Sequence, residues 1–197
     1  DRIRKNPMIL VEDIKVEKKL KKPFSDEQRE LLLRNCETLR DKAMMEFLYS
    51  TAVRVSELAA LNKDDVRWTT KELIVFGKGS KERTVYLNDR ANMYIKEYLE
   101  SRTDDNEALF VSIRSPHERL TKGGIEDIIR RTGKRAGVDN AHPHRFRRTA
   151  ATNALNRGMP VQEVAQFLGH TKLETTMIYC SVDQAGVKYH HQKYLSA

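Results

Sequence analysis

The stretch "RVSELAALNKDDVRWTTKELIVFGKGSKERTVYL", residues 54–87, changes its periodicity partway, and that change decides the fold. At its start Val55, Leu58 and Leu61 recur at helical spacing and share one side of a short helix. From Asp64 onward the pattern shortens to "DDVRW", "ELIVFGKG" and "RTVYL", runs rich in β-branched and aromatic residues. Turn material, "TTK" and "GKGSKE", separates them, so the segment predicts an antiparallel sheet of about three strands.

Helical signals surround this sheet. Upstream, "PFSDEQRELLLRNCE" begins a helix with Ser25 as N-cap and Gln28 completing a capping box. "RDKAMMEFLYSTAV" is apolar enough to be a core helix. Downstream, "RANMYIKEYLESR" returns to helix and "ALFVS" reads as a short strand or extended piece. "TKGGIEDIIRRTGKRAG" ends at Gly137, and "PHRFRRTAATNALNRG" runs from Pro143 to Gly158. "PVQEVAQFLG" is opened by Pro160 and closed by Gly169, and "LETTMIYC" and "DQAGVKYHHQKYLSA" are further helical pieces. The predicted class is mainly α with a small three-stranded antiparallel β-sheet (α+β).

The chain of 197 residues suits one domain of good size, or one domain with an extension. It does not begin with Met and is read as a fragment; residues 1–22 lack a clear period, end in a lysine-rich run and look like a linker. No run of eighteen apolar residues exists, and the opening "DRIRKNPMIL" lacks a signal-peptide pattern, so no membrane association is expected. Cys36 and Cys180 lie far apart without CxxC spacing, against a disulfide framework or a zinc site, and a reducing cytosol is the expected compartment. A net charge of +8 and a pI near 9.5 point first to a polyanion such as nucleic acid; charge serving only solubility is the competing reading.

Familiar chemistries drop out. His142 and His144 flank a proline and His190 and His191 are adjacent, so neither pair has the spacing of HExxH. No P-loop, dinucleotide-binding glycine motif or nucleophile elbow occurs. What remains is a set of basic residues in apolar settings. Arg54 sits at a junction of two apolar helices, where a cation needs a partner: either Glu57 or Glu46, or an external anion. His144 and Arg147 share a helical face near a helix start, with Arg145 and Arg148 beside them; they make either an exposed basic face or a phosphate cradle. Lys78 lies in a glycine-flanked hairpin, either solubilising or reaching into a groove. Tyr179, one of seven tyrosines, proves nothing alone.

Order and spacing add what single residues lack. "STAVRVSEL", "GKGSKERTVYL", "HPHRFRRTAAT", "FLGHT" and "TTMIY" resemble, in order, five boxes of the tyrosine recombinase catalytic domain, the phage-type and conjugative-transposon integrases akin to Xer and Cre. The resemblance covers nearly everything from Pro23 onward and implies the DNA breaking-rejoining fold. It places the catalytic residues on Arg54, Lys78, His144, Arg147, His170 and the nucleophile Tyr179, with Glu57 in support. Lys81, Arg83, Arg145 and Arg148 are further expected DNA contacts. Two departures stand out: Ala52-Val53 replaces the usual Gly-Leu before the arginine, expected to alter packing only, and Cys180 follows the tyrosine. On this resemblance the family's N-terminal core-binding domain is expected to be missing from the sequence, with residues 23–197 as the catalytic domain and about 182–197 as a tail for exchange between protomers.

The resemblance also implies a reaction. Tyr179 attacks a phosphodiester, leaving a 3′-phosphotyrosyl link and a free 5′-hydroxyl, without metal, ATP or another cofactor. Arg54 and Arg147 hold the nonbridging oxygens, His144 and His170 assist, His144 takes the phenolic proton and Lys78 supplies the leaving-group proton. The polar run between His170 and Tyr179 would let the tyrosine swing into attack. Implied partners are double-stranded DNA, a homotetramer on two sites and accessory DNA-bending or directionality factors, in a bacterial, phage or transposon setting. A type IB topoisomerase-like enzyme, a catalytically silent DNA-binding domain and a basic RNA-binding domain are the competing readings.

Overall fold

The computed structural model describes residues 22–77, 82–180 and 191–192. The linker expected over residues 1–22 (apart from residue 22), the segment 78–81 with Lys78 and Lys81, and the tail apart from residues 191–192 lie outside the described residues. Within them run α1 (Asp26–Arg34), α2 (Leu39–Thr51), α3 (Val55–Ala60), β1 (Val66–Arg67), β2 (Glu72–Phe76) and β3 (Glu82–Tyr86). They are followed by α4 (Asp89–Glu100), α5 (Lys122–Arg135), α6 (Pro143–Asn156), α7 (Val161–Leu168) and α8 (Glu174–Met177). The architecture is mainly helical with one three-stranded antiparallel sheet of order β1-β2-β3.

Local sequence sets the helix ends. Ser25 Oγ accepts the Gln28 N–H at 3.1 Å, while the Gln28 side chain accepts the Ser25 N–H at 3.2 Å, closing the capping box that starts α1. Pro143 occupies the first position of α6, where a missing N–H costs nothing, and Gly158 follows its end at φ 93°. Pro160, by contrast, caps α7 from outside. The segment "ALFVS" forms no ladder strand; two isolated bridges, Asn62 with Ala108 and Val111 with Arg119, fasten this region instead.

Helix α2 is the centre of the body. Ala43, Met44, Met45, Phe47 and Leu48 are all buried, so most of its circumference is covered, and α4 and α6 pack against it. In the sheet, Leu73 pairs with Val85 and Val75 with Arg83. Leu73, Val75 and Val85 turn to the core, while Phe76, Thr84 and Tyr86 are exposed on the other face. A second, smaller cluster of Ala52, Ala150, Ala151, Val164 and Leu168 joins the end of α2 to α6 and α7. Its small side chains let these backbones approach closely, which brings the ends of α2 and α7 to one place.

Candidate active site

The site begins where α2 ends. Ala52 turns the chain at φ 50°, a left-handed conformation that glycine adopts more readily. The Gly-to-Ala departure therefore touches the backbone as well as packing. Two residues on, Arg54 opens α3, and its N–H and Nη1 donate to Glu57 Oε2 and Oε1 at 2.7 and 2.8 Å. Of the two carboxylates open to Arg54 in the sequence, Glu57 is the one that takes it; Glu46 pairs with Arg29.

Glu57 has a second cation. Arg83, on β3, donates from Nη1 and Nη2 to its two oxygens at 2.9 and 2.8 Å. Burial would raise the Glu57 carboxyl, but the Arg83 hydrogen bonds, the Arg54 N–H, the Arg83 charge and the Arg54 side-chain hydrogen bond overcome it and bring the pKa to about 2. Arg83 also donates from Nε to the Phe167 carbonyl at 3.0 Å. It was expected to contact DNA, yet its side chain is only 8% exposed and committed inward. Period-two alternation was the signal: Arg83 shares the core-facing side of β3 with Val85.

Arg147 is buried on α6 and donates from Nη1 to the Ala52 carbonyl and from Nη2 to the Leu168 carbonyl. Those carbonyls end α2 and α7, where helix dipoles favour a cation. Burial, then repulsion from Arg54 and Arg83, lowers its pKa to about 10, so it remains charged at neutral pH. The three guanidinium groups of Arg54, Arg83 and Arg147 face one carboxylate, Glu57, an excess of positive charge suited to an anion.

Two imidazoles border this charge. His170 follows Gly169, which ends α7 at φ 65°, and its Nδ1 lies 2.8 Å from Thr176 Oγ1. Burial, then Arg147, Arg54 and Arg83, lowers the His170 pKa to about 4. His144, exposed at the start of α6, is lowered by burial first and then by Arg147, Arg148 and Arg54. Both rings are thus held toward the neutral form, able to accept a proton. The Tyr179 ring stacks on His170 with centroids 6.4 Å apart and packs on the small second cluster. Tyr179 is among the groups that act electrostatically on Arg147.

The remaining expected contacts divide. Arg145 covers the Phe24 ring at 4.1 Å and donates to the Lys22 carbonyl and Gln28 Oε1, fastening the entry of the chain rather than facing outward. Arg148 is half-buried, and its Nη1 has no hydrogen-bond partner. Beside the site, a cleft of about 1290 Å³ separates the outer face of the sheet from α6 and α7; Arg54 and His170 reach its wall, with Thr84, Tyr86, Met159 and Phe167. Among the described residues no cluster of His, Cys, Asp and Glu could hold a metal ion, and no helix is long and apolar enough to cross a membrane.

A phenol beside gathered guanidinium groups and two neutral imidazoles, on this helical body, defines the class as a tyrosine recombinase catalytic domain. The chain belongs to the phage integrase family, whose sequence profile it matches over residues 22–185. It is 38% identical over 200 residues to the tyrosine recombinase XerC of Herpetosiphon aurantiacus, covering 95% of this chain and 65% of that protein. Against XerC of Staphylococcus aureus (strain bovine RF122) it is 37% identical over 190 residues, covering 90% and 62%. The chain thus spans less than two thirds of the length of these relatives. Among solved structures, XerA recombinase superposes with a TM-score of 0.77 at 28% identity, covering 90% of this chain and 66% of that one. A Tn1549 transposon integrase in complex with circular intermediate DNA shares the fold, with a TM-score of 0.72 at 18% identity over 87% of this chain and 66% of that one.

Proposed function

We propose that this domain cuts and rejoins strands of double-stranded DNA through a 3′-phosphotyrosyl link to Tyr179. The observation that carries the reading is the position of the Tyr179 ring, stacked on His170 at 6.4 Å and beside the buried charge of Arg147. A phosphodiester repels anionic nucleophiles, and its transition state gathers charge on the equatorial oxygens. Arg54 and Arg147 are fixed donors for that charge, each already held by protein partners and needing little reorganisation.

The step balances on this chain's own groups. His144, held toward the neutral form and exposed, accepts the phenolic proton as the Tyr179 oxygen bonds to phosphorus. The bond from phosphorus to the 5′-oxygen breaks, and Lys78 gives that oxygen a proton. His170 donates to a nonbridging oxygen from Nε2 while Thr176 holds its Nδ1. The phosphotyrosyl ester keeps the energy of the diester, so attack by a partner 5′-hydroxyl reseals DNA without a nucleotide cofactor.

The partners are double-stranded DNA, a homotetramer on two sites with the segment after Tyr179 exchanged between protomers, and accessory bending or directionality factors. The setting is the cytoplasm of a bacterium, or a phage or transposon acting there. Nicked suicide duplexes carrying candidate sites test the chemistry: a denaturant-resistant adduct mapping to Tyr179 is expected. Tyr179→Phe should bind the same duplex and trap nothing; an adduct surviving in that variant overturns the assignment. Relaxation of a plasmid that lacks any recombination site would favour a topoisomerase instead.

A further inference from the structure

Arg83 touches two parts of the site that lie far apart in sequence, Glu57 and the end of α7. Its Nη1 and Nη2 grip Glu57, which in turn holds the Arg54 side chain and N–H. Its Nε donates to the Phe167 carbonyl in the last turn of α7. Its stem lies against Gly169, where an added Cβ would come within 2.9 Å of Arg83 Cδ. Gly169 in turn leads directly into His170. Arg83 lies on β3, which pairs with β2 and follows Lys78 in sequence by a few residues.

We infer that Arg83 is a positioning residue for strand transfer, setting Arg54 through Glu57 and His170 through the Phe167–Gly169 turn. The inference rests on the strand-transfer reading for its consequence, though not for its geometry. A buried guanidinium is costly unless its donors are used, and Arg83 uses three of them in a fixed fork. Because the fork is planar, moving either Glu57 or the α7 end moves the other. Strand β3, first arginine and second histidine are therefore held in one frame. Arg83 lines the cleft, yet its side chain is only 8% exposed and its three guanidinium nitrogens all donate within the protein.

Arg83→Lys, Arg83→Gln and Gly169→Ala separate the possibilities in the full chain. Gly169→Ala keeps every charge but pushes the Arg83 stem and strains the left-handed turn. For Arg83→Gln, the single-turnover cleavage rate at saturating protein should fall by about 10²-fold while DNA affinity stays within about threefold, because misplacing a catalytic group by about 1 Å has that effect. Gly169→Ala should show the same split, and Arg83→Lys should recover part of the rate by restoring one ion pair. In the free protein, the His170 ring resonances should shift in Arg83→Lys, which keeps the positive charge near the ring but breaks the fork, as they would not for a salt bridge that merely adds stability. Weakened affinity with an unchanged rate at saturation would make Arg83 a DNA contact and overturn the inference. Unmoved His170 resonances in well-folded Arg83→Lys and Gly169→Ala would overturn it equally. If the wild-type chain forms no adduct, the strand-transfer reading fails, and the resonances alone then decide whether Arg83 positions the turn.

Discussion

The Thr176 hydroxyl oxygen lies 2.8 Å from Nδ1 of His170, and Thr176 is fully buried on the one-turn helix α8. The polar run that follows His170 is therefore tied back to that histidine before Tyr179 is reached. This bond fixes the ring and leaves Nε2 as the end available to a phosphate oxygen. With its pKa lowered to about 4, the His170 ring should show no titration between pH 5.5 and 8 by proton NMR. The unfolded chain takes up that proton below about 6.5, the folded chain only near 4, so this group lowers stability as pH falls through that window. Thr176→Val, which keeps shape and removes the hydroxyl, should cost about 1–2 kcal/mol and broaden the His170 resonances. Thr176→Ser should restore both.

Glu57 predicts acid sensitivity of the same sign, in a lower pH window. Its carboxyl falls from an ordinary 4.5 to about 2, held down against burial by Arg83 and Arg54. The stability it contributes is complete above the unfolded value and is lost as pH falls toward 2. At about 1.4 kcal/mol per pKa unit this amounts to roughly 3 kcal/mol. Glu57→Gln should flatten the fall in urea midpoint between pH 4.5 and 2. It should also lower stability at pH 7 by about 3–5 kcal/mol, because Arg83 is left buried without its anion. A midpoint with the wild-type pH slope would show that Glu57 is not the titrating group.

Ala52 makes a prediction against habit. Replacing a buried alanine by glycine ordinarily destabilises, through lost burial and a more flexible unfolded chain. At φ 50° the alanine Cβ already costs about 1–2 kcal/mol, which glycine relieves. Ala52→Gly should therefore change stability by less than about 1 kcal/mol, while Ala151→Gly, equally buried but inside α6, should cost more than that. Urea melts of the two variants, side by side, decide the matter.

These residues also show where sequence patterns stop being informative. The capping box at Ser25, the proline and glycine ends of α6 and the three strands were all readable, because each rests on local chemistry within a few residues. The partnership of Arg54 with Glu57 was readable as one of two choices, since both lie on one helical turn. Arg83 was not recognised, although alternation with Val85 places it inward, because its carboxylate lies 26 residues away and only the fold joins them. Thr176 was hidden for a different reason. A threonine in a polar run carries no mark of burial, and its partner is set by how α8 folds back on α7. The inward turn of Arg145 depended likewise on Phe24, more than a hundred residues earlier.

Arg147 joins the carbonyl ends of two helices, Ala52 just after α2 and Leu168 at the end of α7, through separate nitrogens of one guanidinium. A lysine has one ammonium on a flexible stem and cannot span both carbonyls while also facing a phosphate. Arg147→Lys should keep the charge, and DNA affinity in moderate salt should change little, because most binding energy comes from many phosphate contacts. The cleavage rate at saturating protein should fall by about 10²–10³-fold, the usual loss when one fixed transition-state donor is removed. Thermal melting should also fall, since one helix-terminal carbonyl is left buried without its donor. The rate on a suicide duplex and the affinity measured on an intact one give the two numbers separately. A lysine variant that cleaves at the wild-type rate would mean that the fork of Arg147 holds the two helices together and does not act on the reacting phosphate.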